Sequence, residues 1–267
     1  MAEQAWAARD LERPHEVADK ARRVRAMFSA IAPSYDLNNR VHSLGRDRAW
    51  RRRAVALSGL RDGEVVLDVA CGTGDLALAF AEGSKLGVGT PGAVIGLDFT
   101  FDMLRLAAEK GRDRAQASGA VAAGVQAGPT PSWITGDATA LPLPDGCVDV
   151  VSIAFGIRNV DRPERALAEF ARVLRPGGRL VVLEFSLPRF PPLRWLYNLY
   201  FRHVLPRTAS WIARDRSGAY HYLPRSVNTY IGRERMAAML AEAGFEGVTA
   251  HPLTFGVAVV YRGVRAG

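Results

Sequence analysis

Cysteine is scarce in this 267-residue chain, which has only Cys71 and Cys147. Two thiols cannot build a disulfide scaffold or a four-cysteine zinc site, and they suit a reducing compartment. The five histidines are far apart in the sequence, and no two of them have the spacing of metal ligands on one helix. We therefore expect no metal site.

Long apolar runs are also missing, because none approaches the roughly 18 residues that a membrane-spanning helix needs. The chain begins MAEQAWAARDLERPHE, a mixed segment that lacks the apolar core of a secretory signal. These absences predict a cytoplasmic location. The hydrophobic share of 48% and the charged share of 23% are ordinary for a globular protein that buries a core.

Lysine is rare, since only three of the 35 basic residues are lysine, and the net charge is +8. A basic surplus can serve nucleic acid, anionic lipid or an acidic ligand. The arginines are scattered, and no basic stripe with interleaved aromatic residues occurs outside 190–213. We therefore expect no nucleic-acid partner, and a nucleic-acid methyltransferase or basic binding protein is kept only as an alternative.

Short apolar runs alternate with stretches of helical spacing from residue 64 onward. Predicted strands occupy 64–70, 93–98, 132–135, 147–154, 179–185, 247–253 and 256–262. Predicted helices occupy 76–81, 103–110, 162–174 and 234–243, and residues 17–57 suit amphipathic helices interrupted at Pro33. This alternation predicts an α/β fold with a parallel sheet that is covered on both faces.

Two segments fall outside the alternation. Residues 111–131 are rich in alanine and glycine without an apolar period, which predicts a mobile loop insertion. Residues 186–226 are dense in aromatic side chains among several arginines, and we interpret them as an aromatic lid. With residues 1–20 taken as an N-terminal tail, we expect residues 21–267 to form one domain.

A glycine turn follows the first predicted strand in the run DVACGTGD at 68–75. Gly72 and Gly74 let the backbone pass close to a ligand, and free amides at the helix start can face it. The run also satisfies G-x-G-x-x-A, so a nicotinamide-dependent oxidoreductase is an alternative, as is a plain tight turn. Asp68 can receive a cationic amino group, whereas it would repel a pyrophosphate.

Further candidates for ligand binding end the next two predicted strands. Asp98 can accept hydrogen bonds from both hydroxyls of a ribose. Any cofactor with a ribose would need such an acceptor, so Asp98 does not discriminate between interpretations of the glycine turn. Met103 can pack against an adenine ring or in the core. Asp137, with Ala138 beside it, can accept the exocyclic amino group of adenine or cap its own turn.

This order of motifs resembles the class I S-adenosylmethionine-dependent methyltransferases. Further segments resemble one family among them, the C-methyltransferases of demethylmenaquinone and ubiquinone biosynthesis. These segments are MFSAIAPSYDLNNRVHSLGRDRAW at 27–50, AFGIRNV at 154–160, RVLRPGGRL at 172–180, LEFS at 183–186, YHYLP at 220–224 and AEAGF at 241–245. The resemblance implies a Rossmann-like, seven-stranded, mostly parallel sheet with an antiparallel C-terminal strand and helices on both faces.

The resemblance also implies a reaction, the methylation of a ring carbon of a polyprenylated quinol by S-adenosylmethionine. It implies that the cofactor touches Thr73, Asp98, Asp137 and Ala138, with Gly72 and Gly74 beneath it. We expect the conversion of demethylmenaquinol to menaquinol. The benzoquinol step of ubiquinone biosynthesis and a small molecule other than a quinone are the alternatives.

Arg158 is the first candidate for the chemistry, because it follows the fourth predicted strand at the ligand-binding edge. A quinol carbon is a poor nucleophile until the neighbouring hydroxyl loses its proton, and a cation aimed at the resulting oxyanion lowers the barrier. The alternative is a structural arginine that pairs with Asp161 or Glu164.

Three more residues are candidates for the same reaction. Asn159 can hold a water that relays the proton. Tyr35 and Asp36, in the segment 27–50, can fold over the site and contact the quinol. Asp36 can instead cap the turn that follows it.

The segment 190–213 suits a substrate with a long polyprenyl tail. Four aromatic residues can shelter the tail while three arginines meet lipid headgroups; these are Trp195, Tyr197, Tyr200 and Phe201 with Arg194, Arg202 and Arg207. The pattern predicts peripheral contact with the inner face of the membrane. A helix packed on the core, or on a second subunit in a homodimer, is the alternative.

Overall fold

The computed structural model describes residue 6 and residues 10–117, 128–213 and 218–267. A seven-stranded sheet in the order β3-β2-β1-β4-β5-β7-β6 forms its centre. The strands are β1 (Val65–Val69), β2 (Ala93–Asp98), β3 (Ser132–Thr135), β4 (Val148–Ala154), β5 (Leu174–Phe185), β6 (Phe245–Leu253) and β7 (Ala258–Arg265). Strands β1 to β5 pair in parallel, and β7 runs antiparallel to both β5 and β6. The expected Rossmann-like sheet with an antiparallel C-terminal strand is therefore confirmed.

Strand β5 begins five residues earlier than the sequence suggested. Leu174 pairs with Val148, and the register shifts between Val148 and Val150 before regular pairing resumes at Arg179. The Pro-Gly-Gly run that predicted a break therefore lies within the strand, beside this irregularity in the ladder.

Helices cover the sheet and one of its edges. They are α1 (Lys20–Ile31), α2 (Tyr35–His42), α3 (Arg46–Ser58), α4 (Asp75–Ala81), α5 (Phe101–Ala117), α6 (Pro163–Val173), α7 (Pro191–Leu199), α8 (Leu205–Ala213), α9 (Ala219–Thr229) and α10 (Arg233–Glu242). A 3₁₀ turn at Ala32–Ser34 contains Pro33, and one π-helical turn at Tyr200–Val204 joins α7 to α8. None of the helices in the described ranges is long and apolar enough to cross a membrane.

The central strands bury side chains on both faces, as a sheet covered by helices must. In β1, Val66 packs into one core cluster together with residues of α3 and α4. Its neighbours Leu67 and Val69 pack into a second cluster together with residues of α6 and α10. Because successive side chains of a strand point to opposite faces, this short run contributes to both cores.

A third core cluster lies outside the sheet and joins the N-terminal helix α1 to the aromatic segment 186–226. Residues 1–20, expected to be a tail, contribute Trp6 to this cluster. The Trp6 ring is fully buried and stacks on Tyr222 at 4.4 Å between centroids. Part of the segment read as a tail therefore belongs to the folded protein.

The predicted loop at 111–131 is partly helical. Residues 111–117 form the end of α5, and residues 128–131 lead into β3 without regular structure. The remainder of the predicted loop, 118–127, lies outside the described residues. The alanine content that obscured the apolar period is compatible with a helix, since alanine has the best helix propensity.

Candidate active site

Two strained residues mark the carboxyl edge of the sheet. Ala70 directly follows β1 and Phe155 directly follows β4, and both have positive φ angles, 50° and 57°. Such conformations in residues other than glycine cost about 1–3 kcal/mol each and concentrate at functional sites. The backbone at this edge is therefore held in a shape that the surrounding fold imposes.

A cavity of about 200 Å³ opens at this edge and is called the smaller cavity below. It lies between the strand ends and α1, which contributes Ala21, Val24 and Phe28. Among the cofactor residues expected from the sequence, it is lined by Gly72, Asp98, Met103, Asp137 and Ala138. These residues come from three separate strand ends, which the parallel order brings together.

Asp98 is the anchor of the smaller cavity. Its Oδ2 accepts a hydrogen bond from the amide of Gly72 at 2.8 Å, and its Oδ1 accepts one from the amide of Thr100 at 2.8 Å. Burial raises the pKa of Asp98, and these two amides oppose that shift. The carboxylate is thus fixed against the glycine turn, and its remaining lone pairs can accept bonds from a ribose.

Asp137 caps its own turn and lines the smaller cavity. Its Oδ1 accepts hydrogen bonds from the amide and the hydroxyl of Thr139, at 2.7 and 2.9 Å, so it caps its own turn. It also lines the smaller cavity together with Ala138 and Thr139. The capping bonds orient the carboxylate and leave acceptor capacity for a ligand amino group.

The charge of the smaller cavity suits S-adenosylmethionine. Three carboxylates line it, those of Asp98, Asp137 and Asp161, against a single cation, Arg162. An acidic lining favours a cationic sulfur ligand. Gly136 and Gly156 also line it, and a Cβ at Gly156 would lie 2.7 Å from the Cβ of Ala70, so a larger residue there would disturb the floor.

Asp68 lies beneath the turn and lines neither described cavity. Its Oδ1 accepts a hydrogen bond from Ser152 at 2.7 Å, and its Oδ2 is buried without a partner among the described residues. Burial raises the pKa of Asp68 to about 7. The structure therefore separates this acid from the cavity that it was expected to serve.

Gly74 and Thr73 shape the turn without lining the cavity. Gly74 has a φ of +81°, and a Cβ there would lie 2.5 Å from the ring of Trp133. The Thr73 hydroxyl donates to Asp36 Oδ1 at 2.6 Å and accepts from Lys110 Nζ at 3.0 Å. The Thr73 side chain is therefore committed to protein partners.

Lys110 ties the N-terminal helices to the glycine turn. Its Nζ lies 2.6 Å from Asp36 Oδ2 and 2.7 Å from Asp75 Oδ1. Thr73 and Lys110 thus hold the Asp36 carboxylate, which does not cap the turn after it, and Asp36 lines neither of the two described cavities. The contacts of Lys110 with Asp36 and Asp75, called the clasp below, therefore connect α2 to the start of α4.

A larger cavity of about 380 Å³ lies beside the first, bounded by α2, α3 and the aromatic segment. Three residues line both cavities, namely Phe28, Tyr35 and Phe155. Tyr35 therefore occupies the junction, as its place in the segment 27–50 suggested. The guanidinium of Arg51 lies 5.7 Å from the centre of the Phe155 ring, and Arg51 is paired with Asp47 at 2.7 Å.

Arg158 lines the larger cavity and is held by an acid that the sequence analysis did not name as its partner. Its Nη1 donates to Glu184 Oε1 and to the carbonyl of Phe155, both at 2.7 Å. The structural alternative had named Asp161 or Glu164 as the partner. Glu184 takes that place because β5 runs beside β4, with Leu183 opposite Ala154.

Asn159 lies on the side of the smaller cavity and is also fixed. Its Nδ2 donates to the carbonyl of Phe155 at 3.2 Å, and its Oδ1 accepts from the hydroxyl of Tyr222 at 3.0 Å. Arg158 and Asn159 therefore both donate to the carbonyl of Phe155, the residue with positive φ, while they line different cavities.

Sequence reasoning missed four contributors to this region: Lys20, Arg51, Lys110 and Glu184. Lys20 Nζ donates to the carbonyls of Arg158 and Val160 at 3.0 and 2.8 Å and so fastens α1 over the smaller cavity. A glutamate inside the apolar run LVVLEF was the one visible signal, because a buried acid in a strand needs a partner.

Comparisons with known proteins match the chain to one family. The profile of the ubiE/COQ5 methyltransferase family matches residues 16–265. The chain is 41% identical over 247 residues to the ubiquinone/menaquinone biosynthesis C-methyltransferase UbiE of Erwinia tasmaniensis, covering 92% of each chain. It is 41% identical over 242 residues to the UbiE of Yersinia pestis strain Pestoides F, covering 91% of this chain and 90% of the relative.

Solved structures agree on the fold. A chain of the complex between the Haloferax volcanii Trm112 methyltransferase activator and a methyltransferase superposes with a TM-score of 0.60 at 19% identity, covering 90% of this chain and 98% of that one. A SAM-dependent methyltransferase from Aquifex aeolicus gives 0.53 at 17% identity, covering 85% and 97%. The family match decides against the oxidoreductase interpretation of the glycine turn. The chain belongs to the ubiE/COQ5 methyltransferase family, and its methyl donor is S-adenosylmethionine.

Proposed function

We propose that this protein methylates a ring carbon of a polyprenylated quinol, and that its reaction is the conversion of demethylmenaquinol to menaquinol. The observation that carries the proposal is the meeting of the two cavities at Phe28, Tyr35 and Phe155. The acidic smaller cavity suits the donor, and the larger one, walled by aromatic rings, suits a flat apolar acceptor. The names of the UbiE relatives, which cite ubiquinone and menaquinone, support this substrate class.

S-adenosylmethionine supplies an electrophilic methyl group on a cationic sulfur. The quinol hydroxyl loses its proton, and the ring carbon forms the new C–C bond as the C–S bond breaks with its electron pair passing to sulfur. The hydrogen of that carbon then leaves as a proton and the phenolate oxygen regains one, so one proton is released in total. The protein must therefore align the ring carbon with the methyl group and stabilise the phenolate. Alignment supplies up to about 7–11 kcal/mol of the barrier in favourable cases.

Arg158 stabilises the phenolate in this proposal. Its side chain is buried and lines the larger cavity, where a low dielectric strengthens its attraction for an oxyanion. The bond to Glu184 fixes Nη1, and Nη2 has no hydrogen-bond partner among the described residues. Arg158→Ala should lower turnover by about 10²–10³-fold with S-adenosylhomocysteine binding retained. Turnover within a few-fold of the parent would remove Arg158 from this role.

Tyr35 and Asn159 complete the proposed reaction centre. Burial raises the pKa of Tyr35, so its hydroxyl stays protonated at the junction of the cavities and can donate to the substrate. Asn159, fixed by Phe155 and Tyr222, holds the water that accepts the proton. Asp36 acts at a distance, through its clasp on Thr73 and Lys110.

The aromatic wall of the larger cavity supports the bicyclic naphthoquinol. The rings of Phe155 and Phe185 lie 4.4 Å apart, and the Trp50 ring lies 6.1 Å from each of them. Quinone analysis of a strain that lacks the gene tests the choice of substrate. Accumulation of demethylmenaquinone supports the proposal, whereas accumulation of a ubiquinone precursor alone assigns the benzoquinol step instead.

We also propose that α7 and α2 meet the membrane surface that holds the prenyl tail. Trp195, Leu196 and Leu199 on α7 are exposed, as are Leu37 and Val41 on α2, and both helices line the larger cavity elsewhere on their surfaces. Amphipathic helices with exposed tryptophan bind interfaces of this kind.

Vesicle binding tests the membrane contact. Trp195→Glu should weaken sedimentation with anionic vesicles, whereas the matched variant Phe101→Glu changes an exposed aromatic residue outside this surface and should not. Equal binding by the parent and Trp195→Glu would contradict the contact. A change of oligomeric state in Trp195→Glu would assign the surface to a second subunit.

A further inference from the structure

Tyr197 lies in α7 with its ring among the side chains that line the larger cavity. Only 8% of the residue is exposed, and its ring stacks on Phe201 at 4.1 Å between centroids. This packing fixes the ring at the wall of the larger cavity.

The Tyr197 hydroxyl is buried and has no hydrogen-bond partner in the described part of the chain. A buried polar group without a partner is unfavourable, and one in a native structure calls for an explanation. Tyr197 lines the larger cavity, so a ligand that displaces the neighbouring side chains slightly as it binds there would supply the missing partner.

The charges around this hydroxyl are those of the proposed reaction centre. Burial raises the pKa of Tyr197, while the Arg158 guanidinium works in the opposite direction and Glu184 adds to the rise. The phenol therefore stays protonated and acts as a hydrogen-bond donor, not as a base.

We propose that the Tyr197 hydroxyl donates a hydrogen bond to the quinol oxygen that becomes the phenolate, alongside the guanidinium of Arg158. This inference rests on the proposed function. It makes α7 part of the reaction centre as well as a shelter for the prenyl tail. No covalent bond to Tyr197 forms or breaks. The hydrogen bond shortens as negative charge develops on the substrate oxygen.

Tyr230 offers a matched control. Its hydroxyl is also buried without a partner among the described residues, yet Tyr230 lines neither of the two cavities. Tyr230→Phe and Tyr197→Phe therefore each remove one unpartnered hydroxyl, the first from a residue outside both cavities and the second from a residue that lines the larger cavity.

The first test compares methyl transfer and thermal unfolding of these variants. Tyr197→Phe should lower kcat by about 10²-fold, the effect of losing one oxyanion donor, with a melting temperature equal to or above that of the parent. Tyr230→Phe should keep kcat within twofold. A kcat of Tyr197→Phe within threefold of the parent, or an equal loss in Tyr230→Phe, would overturn the inference.

Binding of simple ring compounds gives a readout that does not depend on turnover. With S-adenosylhomocysteine present, the parent should bind 1-naphthol more tightly than naphthalene, and Tyr197→Phe should lose most of that preference. An unchanged preference would overturn the inference. If the parent binds S-adenosylhomocysteine but methylates no quinol, the proposed function fails, and the naphthol comparison still tests the hydroxyl on its own.

Discussion

Arg158 and Glu184 form an ion pair in the interior, with Nη1 and Oε1 2.7 Å apart and side chains 6% and 3% exposed. Glu184 also accepts a hydrogen bond from the amide of Phe185 at 2.7 Å. The pair holds the proposed phenolate partner in place and ties the end of β4 to β5. Removing one member of such a pair leaves a buried charge without compensation.

Glu184→Gln should therefore lower the free energy of unfolding by about 3–5 kcal/mol, because Arg158 would stay buried and charged. Urea unfolding measures the change. The exposed pair Arg189–Glu234 supplies the control, and Glu234→Gln should leave the unfolding curve where it is. Equal curves for the parent and Glu184→Gln would show that the pair contributes nothing to stability.

Lys110→Met should loosen the cover over the smaller cavity. The substitution leaves Asp36 and Asp75 without the cation between them, so α2 loses its clasp on the glycine turn. We expect S-adenosylhomocysteine to dissociate about tenfold faster, a change of about 1.4 kcal/mol. Stopped-flow displacement measures the rate, and Lys85→Met, in an exposed pair with Glu82, is the control. An unchanged dissociation rate would mean that the clasp does not govern release.

Gly74→Ala should lower the free energy of unfolding more than Gly87→Ala does, although both glycines have similar positive φ angles, +81° and +77°. A Cβ at Gly87 meets nothing within 4 Å, so that variant isolates the backbone cost of about 1–2 kcal/mol. At Gly74 the new Cβ also clashes with Trp133, which adds about 1–3 kcal/mol.

The same experiment in a Trp133→Leu background should bring the two glycine variants closer together, because the clash is removed. Chemical denaturation measures all of these differences. Equal losses for Gly74→Ala and Gly87→Ala in the parent would contradict close packing at the turn.

Asp68 should make stability depend on pH between about 4 and about 7. Burial raises its pKa to about 7, so the folded state binds a proton that the unfolded state has lost in this window. Its contribution is complete below the unfolded pKa and disappears as the pH rises through the folded pKa, with a span of up to about 4 kcal/mol.

Asp68→Asn removes this titration. As the pH rises from 4 to 8, the unfolding free energy of the parent should fall relative to that of Asp68→Asn. A difference that does not vary with pH would show that Asp68 is ionised throughout. Comparing the two proteins cancels His15 and His42, whose pKa values burial lowers and which act in the opposite direction.

The sheet and the smaller cavity could be predicted because their signals are local. A strand, a glycine turn and a helix are contiguous in 65–81, and an acid at the end of β2 follows from the strand itself. Parallel order then brings Asp98 and Asp137 to one edge without any knowledge of packing.

The partners of these residues could not be predicted, since they come from distant parts of the chain. The structural alternative paired Arg158 with a nearby acid, Asp161 or Glu164, but the acid that holds it is 26 positions away and reaches it only through strand pairing. Asp36 was expected at the quinol, but Lys110 and Thr73, both remote in sequence, hold it elsewhere. A hydroxyl without a partner, such as that of Tyr197, becomes visible only when all packing is known.

Transfer of a labelled methyl group tests the central claim most directly. The purified protein would be incubated with methyl-labelled S-adenosylmethionine and demethylmenaquinol, and both products would be quantified. The account predicts label on the quinol ring carbon in a one-to-one ratio with S-adenosylhomocysteine. Release of S-adenosylhomocysteine without label on the ring, or no release with either this quinol or the benzoquinol precursor, would contradict it.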